Sequence, residues 1–281
     1  MLLINYQTQE FATKVANHGY RKVLGDRRYR FYDLSKIEPS QRVAKSPIIQ
    51  FYSSADNIGN YMPVIGIWKM LGRQADTWCI QDGKIDFDFI NKNYKCVIIG
   101  GAGLLVLAGG KFERFWQKVL EKCQIPIFIW GVGTDRVDSL NESYKDVVEQ
   151  VAKRSELVNV RDELTANAFR LKDCDISACP TIAYLEDFRQ RNSKLAAQDS
   201  LKVNFIYYQP QIFNEDEIKR IGSLISQRSS KAIFNSNYQY SYRGLEDVIQ
   251  GFYLKSNLVV TTMLHGAITA YGLGIPYIAI G

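Results

Sequence analysis

Short apolar runs alternate with amphipathic stretches along most of the chain, and this alternation predicts its secondary structure. An apolar run such as PIIQFYS indicates a buried strand, whereas apolar residues within 111–123 recur with the period of a helix. A first series predicts strands at 47–53, 76–81, 95–103, 125–133, 157–162 and 175–179 and helices at 61–71, 111–123, 144–154 and 163–171. Strands that alternate with helices in this way are typical of a parallel sheet covered on both faces.

A second series follows the polar segment 186–200, which has no apolar period and is predicted to be an interdomain linker. The series predicts strands at 201–209, 231–237, 257–262 and 276–280 and helices at 215–227, 245–255 and 264–273. Asn214 is a suitable N-cap for the first of these helices. The predicted fold class is α/β, with two Rossmann-like domains, 47–185 and 201–281, whose parallel sheets face a cleft.

The two ends of the chain fit this pattern less well. Residues 1–46 form an N-terminal arm to which the pattern assigns no role. The last predicted strand ends at Gly281 with no covering helix after it. Because a buried strand is an unusual place for a domain to finish, the second domain is expected to be truncated at its C-terminus.

Composition excludes several classes of protein. A hydrophobic content of 46% and a charged content of 23% are typical of a globular chain. No apolar run approaches the ~18 residues of a membrane helix, and the N-terminus lacks the pattern of a signal peptide. The five cysteines are irregularly spaced without a CxxC pair, which predicts no metal site and favours reduced thiols in the cytoplasm.

The net charge of +6 favours anionic partners such as phosphates, acidic lipid or nucleic acid. Nucleic acid is not expected, because no recognised motif accompanies the charge. The densest basic cluster is interleaved with aromatic residues and is interpreted as a solvated face, a membrane-surface patch or an acceptor-binding surface. It comprises Arg21, Lys22, Arg27, Arg28 and Arg30.

The segment 257–281 is predicted to be a strand, a tight turn, a helix and a further strand, and its turn carries His265. The N–H groups at a helix N-terminus bind anions, and a histidine can change its charge near neutral pH. Ligands bind at the carboxyl ends of strands in α/β sheets, which favours a functional site here. A core histidine in an ordinary turn is the alternative.

Small residues follow several predicted strands, where glycine lets the backbone approach a ligand closely. They are Asn57, Gly59 and Asn60 before the first helix, Gly100 and Gly101 after the third strand, and Gly131 and Gly133 after the fourth. No nucleotide signature is present, because Val106 and Arg136 occupy the last glycine position of GxGxxG. Tight turns of the sheet are the alternative explanation.

Arg161 ends a predicted strand directly before a helix. Its planar guanidinium suits bidentate binding of a carboxylate or a phosphate. A local salt bridge to Asp162 or Glu163 would explain the same residue without a ligand.

Several of these segments together resemble the polysaccharide pyruvyl transferase family, in order and in spacing, over residues 47–281. They are NIGN (57–60), VIIGGAGLL (97–105), WGVG (130–133), VNVRDELT (158–165) and MLHGAITAYGLGIPYIAI (263–280). The resemblance implies a GT-B-like pair of Rossmann-like domains. It also implies transfer of the enolpyruvyl unit of phosphoenolpyruvate to a sugar of a surface polysaccharide or its precursor, usually as a cyclic ketal.

The resemblance also implies roles for particular residues. His265 would be catalytic, Leu264 and Gly266 would flank the donor beside it, and Arg161 would help to hold the donor's anionic groups. The small residues after the strands, named above, would line the substrate site. Phosphoenolpyruvate would serve as a substrate, with no further cofactor and no metal.

The chain departs from the family pattern at three positions. Met263 stands where the family commonly has an arginine, Cys179 where it has an aspartate before Pro180, and Asn60 where an aspartate is usual. Loss of the arginine would remove about 1.5–3 kcal/mol of charge-assisted hydrogen bonding to the donor. Three alternatives follow: the chain uses another basic residue, binds a different donor or is inactive.

The chemistry implied requires an acid that protonates the donor's methylene carbon and a base that accepts the proton of the sugar hydroxyl. A reference pKa of about 6.5 suits His265 for either role. Asp135, Asp162 and Glu163 are candidates for its partner by position alone.

Two further functions remain open from the sequence. A nucleotide-sugar glycosyltransferase would share the architecture, and a non-catalytic family member would explain Met263, Cys179 and the missing C-terminal tail. A cytoplasmic protein is expected, and a lipid-linked acceptor would place it at the inner face of the membrane.

Overall fold

The structure of the protein is a computed structural model. It describes residues 15–16, 18–19, 21–23, 31–81, 84–106, 110–134, 137, 140–191, 200–207, 214–235, 237–240 and 243–280. No helix among these residues is both long and apolar enough to cross a membrane. The basic cluster of the N-terminal arm lies outside them from Arg27 onward.

The chain divides into two compact units. The N-terminal unit comprises Phe31–Ala55 and Asn60–Tyr184. The C-terminal unit comprises Leu185–Gly281, with Asp56–Gly59 and the described residues that precede Phe31. Each unit contains its own parallel sheet, so the predicted α/β fold with two Rossmann-like sheets is confirmed.

The sheet of the N-terminal unit has six strands in the order β2-β1-β3-β4-β5-β6, and neighbouring strands are parallel. The strands are β1 (Ile48–Tyr52), β2 (Asp76–Cys79), β3 (Cys96–Gly100), β4 (Ile127–Val132), β5 (Leu157–Val160) and β6 (Asp175–Ile176). The helices of this part of the chain are α1 (Ile58–Leu71), α2 (Phe87–Asn93), α3 (Lys111–Lys122), α4 (Glu142–Lys153), α5 (Glu163–Ala168) and α6 (Thr181–Arg191).

The predicted helix 111–123 illustrates why the periodic pattern succeeds. In α3 the residues Phe112, Phe115, Trp116 and Val119 form one buried face. They pack into a core that includes Ile99 of β3 and its neighbours along the sheet. Burial of such side chains stabilises the fold by about 1.5–3 kcal/mol each.

Two of these α-helices, α2 and α6, are not predicted by the sequence pattern. Helix α2 begins after Asp86, whose side chain accepts a hydrogen bond from the backbone N–H of Phe89. Helix α6 includes residues 186–191, which the pattern assigns to the linker. Leu185 and Phe188 lie three residues apart on one face of α6 and are both buried. Residues 192–199 of the predicted linker lie outside the described residues.

The sheet of the C-terminal unit has the order β10-β9-β7-β8, again with parallel neighbours. Its strands are β7 (Lys202–Ile206), β8 (Lys231–Asn235), β9 (Leu258–Thr261) and β10 (Tyr277–Ala279). Its helices are α7 (Glu215–Arg228), α8 (Leu245–Val248), which continues as a π-helix over Ile249–Tyr253, and α9 (Leu264–Leu273). The bounds of α9 are those the sequence predicts.

Asn214 caps α7 as predicted. Its Oδ1 accepts hydrogen bonds from the backbone N–H groups of Asp216 and Glu217, both at 3.0 Å. The Glu217 carboxylate accepts in turn from the Asn214 backbone at 2.8 Å, which completes a capping box. A cap of this kind stabilises a helix by about 1 kcal/mol.

Part of the N-terminal arm is fixed to the first sheet by a buried carboxylate. Oδ2 of Asp33 accepts a hydrogen bond from the Tyr52 hydroxyl at 2.5 Å, and Oδ1 accepts from the Cys79 backbone at 3.3 Å. Ser35 donates to Oδ1 from its backbone and its hydroxyl. The segment beginning at Phe31 is therefore attached to the carboxyl ends of β1 and β2.

The stability of the protein is expected to respond to pH through Asp33. Burial raises the pKa of its carboxyl above 3.8, although hydrogen bonds from Tyr52 and Ser35 oppose the shift. The unfolded chain therefore loses its proton first, and the free energy of unfolding falls as the pH rises from about 3.8 through the raised pKa. Asp33→Asn lacks this titration. In denaturant unfolding, the free energy of unfolding of the variant should therefore rise relative to that of the wild type over that pH range. A stability difference independent of pH would contradict this expectation.

Candidate active site

His265 occupies the first turn of α9, directly after the carboxyl end of β9. The Thr261 hydroxyl defines the turn, because it accepts a hydrogen bond from the Met263 backbone N–H at 2.9 Å and donates to the Met263 carbonyl at 3.1 Å. A Cβ atom on Gly266 would lie 2.2 Å from that same hydroxyl. Any larger residue at 266 would collide with Thr261, so the position requires glycine. The turn allows the helix to begin shortly after the strand ends.

The imidazole ring of His265 packs directly against Gly59. A Cβ atom on Gly59 would lie 2.0 Å from Cγ and 2.1 Å from Nδ1 of the histidine. The backbone N–H of Gly59 donates to Oδ1 of Asn57 at 2.8 Å, which fixes the tight turn at this point. The structure thus brings together three residues that the sequence analysis names separately.

Residues 237–239, which follow β8, form hydrogen bonds with the segment that contains Asn57. Asn57 pairs with Tyr238 in an antiparallel bridge. The Ile58 N–H donates to the Asn237 carbonyl at 3.1 Å, and the Gln239 N–H donates to the Asp56 carbonyl at 2.7 Å. The segment 56–59 is therefore fixed by backbone hydrogen bonds to residues 237–239, which follow β8.

The sequence analysis does not identify the residues that hold this segment in place. Asn237 is fully buried with a positive φ of 60°, a conformation that asparagine tolerates better than most residues. Its Oδ1 accepts a hydrogen bond from the buried Tyr253 hydroxyl. An Asn in a loop after a strand is a weak local signal, and nothing in the sequence connects it with Tyr253.

The electrostatics at the start of α9 favour an anion. Met263 occupies the N-cap position, and its side chain cannot accept a hydrogen bond from the first turn in the way that Ser or Asp would. The positive end of the helix dipole therefore has no side-chain cap at Leu264 and His265. Leu264 is 54% exposed, whereas Gly266 is buried.

In the N-terminal unit, Arg161 lies at the carboxyl end of β5 with its side chain only 8% exposed. Its Nε donates to Oδ2 of Asp162 at 3.1 Å, and its Nη2 donates to the Thr134 carbonyl at 3.0 Å. A Cβ atom on Gly133 would lie 1.9 Å from Nε of the arginine. The local salt bridge to Asp162 is thus present, and the role in binding a donor stays a prediction.

The partners of Arg161 belong to a wider hydrogen-bond network. Asp162 caps α5 by accepting from the backbone and hydroxyl of Thr165 at 2.7 and 2.6 Å. The Thr165 hydroxyl accepts from the Thr134 N–H at 3.1 Å, and the Thr134 hydroxyl donates to the Leu105 carbonyl at 2.5 Å. The loops after β3, β4 and β5 are therefore held together at one edge of this sheet.

The other glycines of the predicted site also have close packing neighbours. A Cβ atom would lie 2.5 Å from Ile67 at Gly100, 2.1 Å from Pro63 at Gly101 and 2.4 Å from Pro180 at Gly131. Positive φ values of 78° and 63° independently favour glycine at 101 and 131. These contacts explain structurally why glycine occupies the three positions, and a role of these glycines in ligand binding stays a prediction. Asn60 is partly exposed in α1, and its role in ligand binding also stays a prediction.

The candidates for a second acid or base have different surroundings. Asp162 is engaged by Arg161 and by the cap of α5. Glu163 is exposed in the first turn of the same helix, and Asp135 lies outside the described residues. In the part of the chain that the structure describes, no group of three or more His, Cys, Asp or Glu residues could hold a metal ion. None of the five cysteines forms a disulfide.

The predicted site residues thus form two groups. Asn57, Gly59, Leu264, His265 and Gly266 lie together in the C-terminal unit. Arg161 and Gly133 are in contact in the N-terminal unit, where Gly100, Gly101 and Gly131 lie on neighbouring strand ends. Both groups occupy the carboxyl edge of a parallel sheet, where α/β proteins bind their ligands.

Comparison with known proteins gives one match over nearly the whole chain. A family model described as polysaccharide pyruvyl transferase matches residues 13–281. No curated protein matches the chain.

Two solved structures are similar to the chain at low sequence identity. One is a protein of uncharacterised function from Klebsiella pneumoniae subsp. pneumoniae, with 14% identity and a TM-score of 0.48 over 82% of this chain and 81% of that one. The other is UDP-GlcNAc 2-epimerase from Neisseria meningitidis bound to UDP-GlcNAc, with 12% identity and a TM-score of 0.43 over 83% of this chain and 81% of that one.

Proposed function

Because the chain belongs to the polysaccharide pyruvyl transferase family, we propose that it transfers the pyruvyl unit of phosphoenolpyruvate to a sugar as a cyclic ketal. One observation carries this proposal: the family match covers 13–281 and so includes both sheets and the helix that bears His265. The acceptor would be a surface polysaccharide or its precursor. A lipid-linked precursor would bring this chain to the inner face of the membrane.

The reaction converts the donor's methylene carbon into a methyl group and its C2 into a ketal carbon. A proton is added to the methylene carbon, and C2 becomes electrophilic. One sugar hydroxyl attacks C2 and gives up its proton to a base. Phosphate then leaves with the electron pair of its C2–O bond, and the second hydroxyl closes the ring as it loses its proton. Proton transfer and anion binding are thus the two demands on the protein.

His265 is proposed to carry out one of the proton transfers. Its ring packs against Gly59, and its backbone is held in the first turn of α9, where the His265 carbonyl accepts a hydrogen bond from the Thr269 hydroxyl at 2.6 Å. A group held in this way avoids the entropic cost of being oriented during the reaction. Its position at the uncapped start of α9 also places it beside a preferred location for an anion.

Arg161 is proposed to bind an anionic group of the donor through the side of its guanidinium that does not face Asp162. Its contacts with Asp162 and Thr134 fix the plane of the guanidinium, which lowers the entropic cost of a bidentate interaction. The salt bridge and the donor contact are therefore compatible, since Arg has five N–H donors.

The first test is thermal unfolding with and without phosphoenolpyruvate, for the wild type and for Arg161→Ala. A ligand at 100 times its dissociation constant should stabilise the wild type by about 2.7 kcal/mol, which raises the melting temperature by several degrees. Each shift is measured from the unliganded form of the same variant, because loss of the buried salt bridge alone lowers the melting temperature. We expect the shift to disappear in Arg161→Ala.

Thermal unfolding with other ligands, together with an assay of phosphate release, separates the proposed function from its competitors. A shift with uridine or guanosine diphosphate and none with millimolar phosphoenolpyruvate would favour a nucleotide-sugar glycosyltransferase. Binding of an acceptor sugar without release of phosphate from any donor would favour a non-catalytic member. Phosphate release that depends on both phosphoenolpyruvate and a sugar would support the proposal directly.

A further inference from the structure

An anionic donor calls for positive charge near His265, and the part of the C-terminal unit that follows β8 contains two residues that can supply it. From Asn237 to Gly281 the lysines and arginines are Arg243 and Lys255. Lys255 precedes β9 and so lies at its amino end, whereas His265 follows the carboxyl end of the same strand. The length of β9 therefore separates Lys255 from the histidine.

Arg243 lies at the same edge of the sheet as His265. It follows β8 and precedes α8, and all strands of this sheet are parallel, so the segments after β8 and β9 emerge at one edge. Both strands flank β7, which places them about 10 Å apart.

Two aromatic rings hold the guanidinium group of Arg243. Its Cζ lies 4.5 Å from the ring centre of Phe252 and 5.0 Å from that of Tyr240. Its Nη2 donates to the Tyr238 carbonyl at 3.3 Å. Stacking on ring faces orients the plane of a guanidinium and directs its N–H groups outward along that plane, which suits recognition of a phosphate or a carboxylate.

The π-helix at Ile249–Tyr253 accounts for this arrangement. It carries both Phe252, which lies under the guanidinium, and Tyr253, whose hydroxyl donates to Asn237. Short π-helical turns are rare and occur frequently at functional sites. A single turn thus orients Arg243 and also fixes the segment that supports Asn57.

We propose that Arg243 binds an anionic group of the phosphorylated carboxylate donor, an inference that rests on the proposed function. The Tyr238 carbonyl that Arg243 contacts belongs to the residue paired with Asn57. From Asn57 the chain leads to Gly59, on which the His265 ring packs. Hydrogen bonds thus connect the cation with the segment on which the histidine packs, and Met263 at the start of α9 carries no charge that could take the place of Arg243.

The test is calorimetric titration of phosphoenolpyruvate into the wild type, Arg243→Met, Met263→Arg and the double variant. Arg243→Met should weaken donor affinity by roughly 10- to 100-fold, the effect of losing a charge-assisted hydrogen bond. Met263→Arg in the Arg243→Met background should recover a large part of this loss, because it restores a cation beside the first turn of α9. A cation at a different position cannot repair a purely structural defect.

Arg42→Met is the matched control. Arg42 is also stacked on an aromatic ring, with Cζ 4.7 Å from the ring centre of Trp78, and it makes an ion pair with Asp86. Its loss should lower the melting temperature and leave donor affinity unchanged. Arg243→Lys provides a second variant that keeps the charge, and it should bind the donor more tightly than Arg243→Met.

The possible outcomes distinguish the two proposals. If Arg243→Met binds the donor within twofold of the wild type while Arg161→Ala does not bind it, the inference about Arg243 is overturned and the proposed function stands. If donor affinity falls in Arg243→Met and Met263→Arg restores none of it, Arg243 only stabilises the loop that follows β8, and the inference is overturned. If Arg243→Met does not fold, Arg243→Gln takes its place as the neutral variant, and donor affinity within twofold of the wild type in Arg243→Gln would likewise overturn the inference. Failure of the wild type to bind the donor would instead contradict the proposed function.

Discussion

Replacing His265 with alanine is expected to lower kcat for pyruvyl transfer by roughly 10²–10⁴-fold, the contribution typical of a positioned acid or base. The ring packs on Gly59 at the edge of the C-terminal sheet, so its removal takes away the proton-transfer group and leaves the core intact. Release of phosphate from phosphoenolpyruvate in the presence of a sugar acceptor measures the rate. Circular dichroism and thermal unfolding show whether the variant is folded.

His18→Ala is the matched control for this experiment. The sequence contains two histidines, and His18 is exposed in the N-terminal segment. Its replacement should leave the rate of transfer unchanged. A His265→Ala variant with near-normal turnover would show that another group performs the proton transfer.

Adding one methyl group at Gly59 is expected to lower kcat/KM by about 10²-fold, the effect of misplacing a reacting group by about 1 Å. The new Cβ in Gly59→Ala would lie 2.0 Å from Cγ of His265, far inside a normal contact. Hydrogen bonds hold the segment 56–59 against residues 237–239, so the imidazole ring is the part that has to move. Overpacking of this kind also costs about 1–3 kcal/mol of stability.

Gly19→Ala serves as the control for the glycine substitution. A Cβ atom at Gly19 meets nothing within 4 Å, and the residue is exposed in a helical segment where alanine is preferred. Steady-state kinetics and melting temperatures of both variants are compared with those of the wild type. If Gly59→Ala kept wild-type kcat/KM, the contact with Gly59 would not determine where the histidine acts.

Elements with strong local signals could be predicted from the sequence. Helix α9 has the bounds that its apolar pattern and flanking strands predict, and Asn214 caps α7 because its side chain and that of Glu217 meet the needs of a helix start. These signals lie within a few residues of each other. Helix α2 is too short for an apolar period to emerge, and α6 carries its buried residues among polar ones.

The candidate site shows the limit of such reasoning more clearly. His265 and Gly59 are both identified from the sequence, but each for its own turn, and nothing local indicates that the glycine is needed to make room for the imidazole ring. Asn237, Tyr253 and Arg243 are not identified at all, because their roles depend on residues brought near them by the sheet. Local patterns report which residues form an element and not which residues lie opposite it.

For Arg161 the sequence suggests two interpretations, a local salt bridge and a contact with the donor, and it does not decide between them. The salt bridge to Asp162 is present, and it fixes the same guanidinium that a donor would need. The two interpretations concern different N–H groups of one side chain. Only ligand binding distinguishes them, which is why the measurement on Arg161→Ala comes first.

The strand order has a consequence for how the chain acquires its structure during synthesis. In each sheet the strand that is made first is an interior strand: β1 lies between β2 and β3, and β7 lies between β8 and β9. Because parallel neighbours are joined by crossovers rather than hairpins, β1 cannot be paired on both sides before Gly100 has left the ribosome, and β7 cannot before Thr261 has. Each of these strands thus keeps an unpaired backbone edge until several tens of further residues have been made, a period in which chaperone binding would protect it from aggregation.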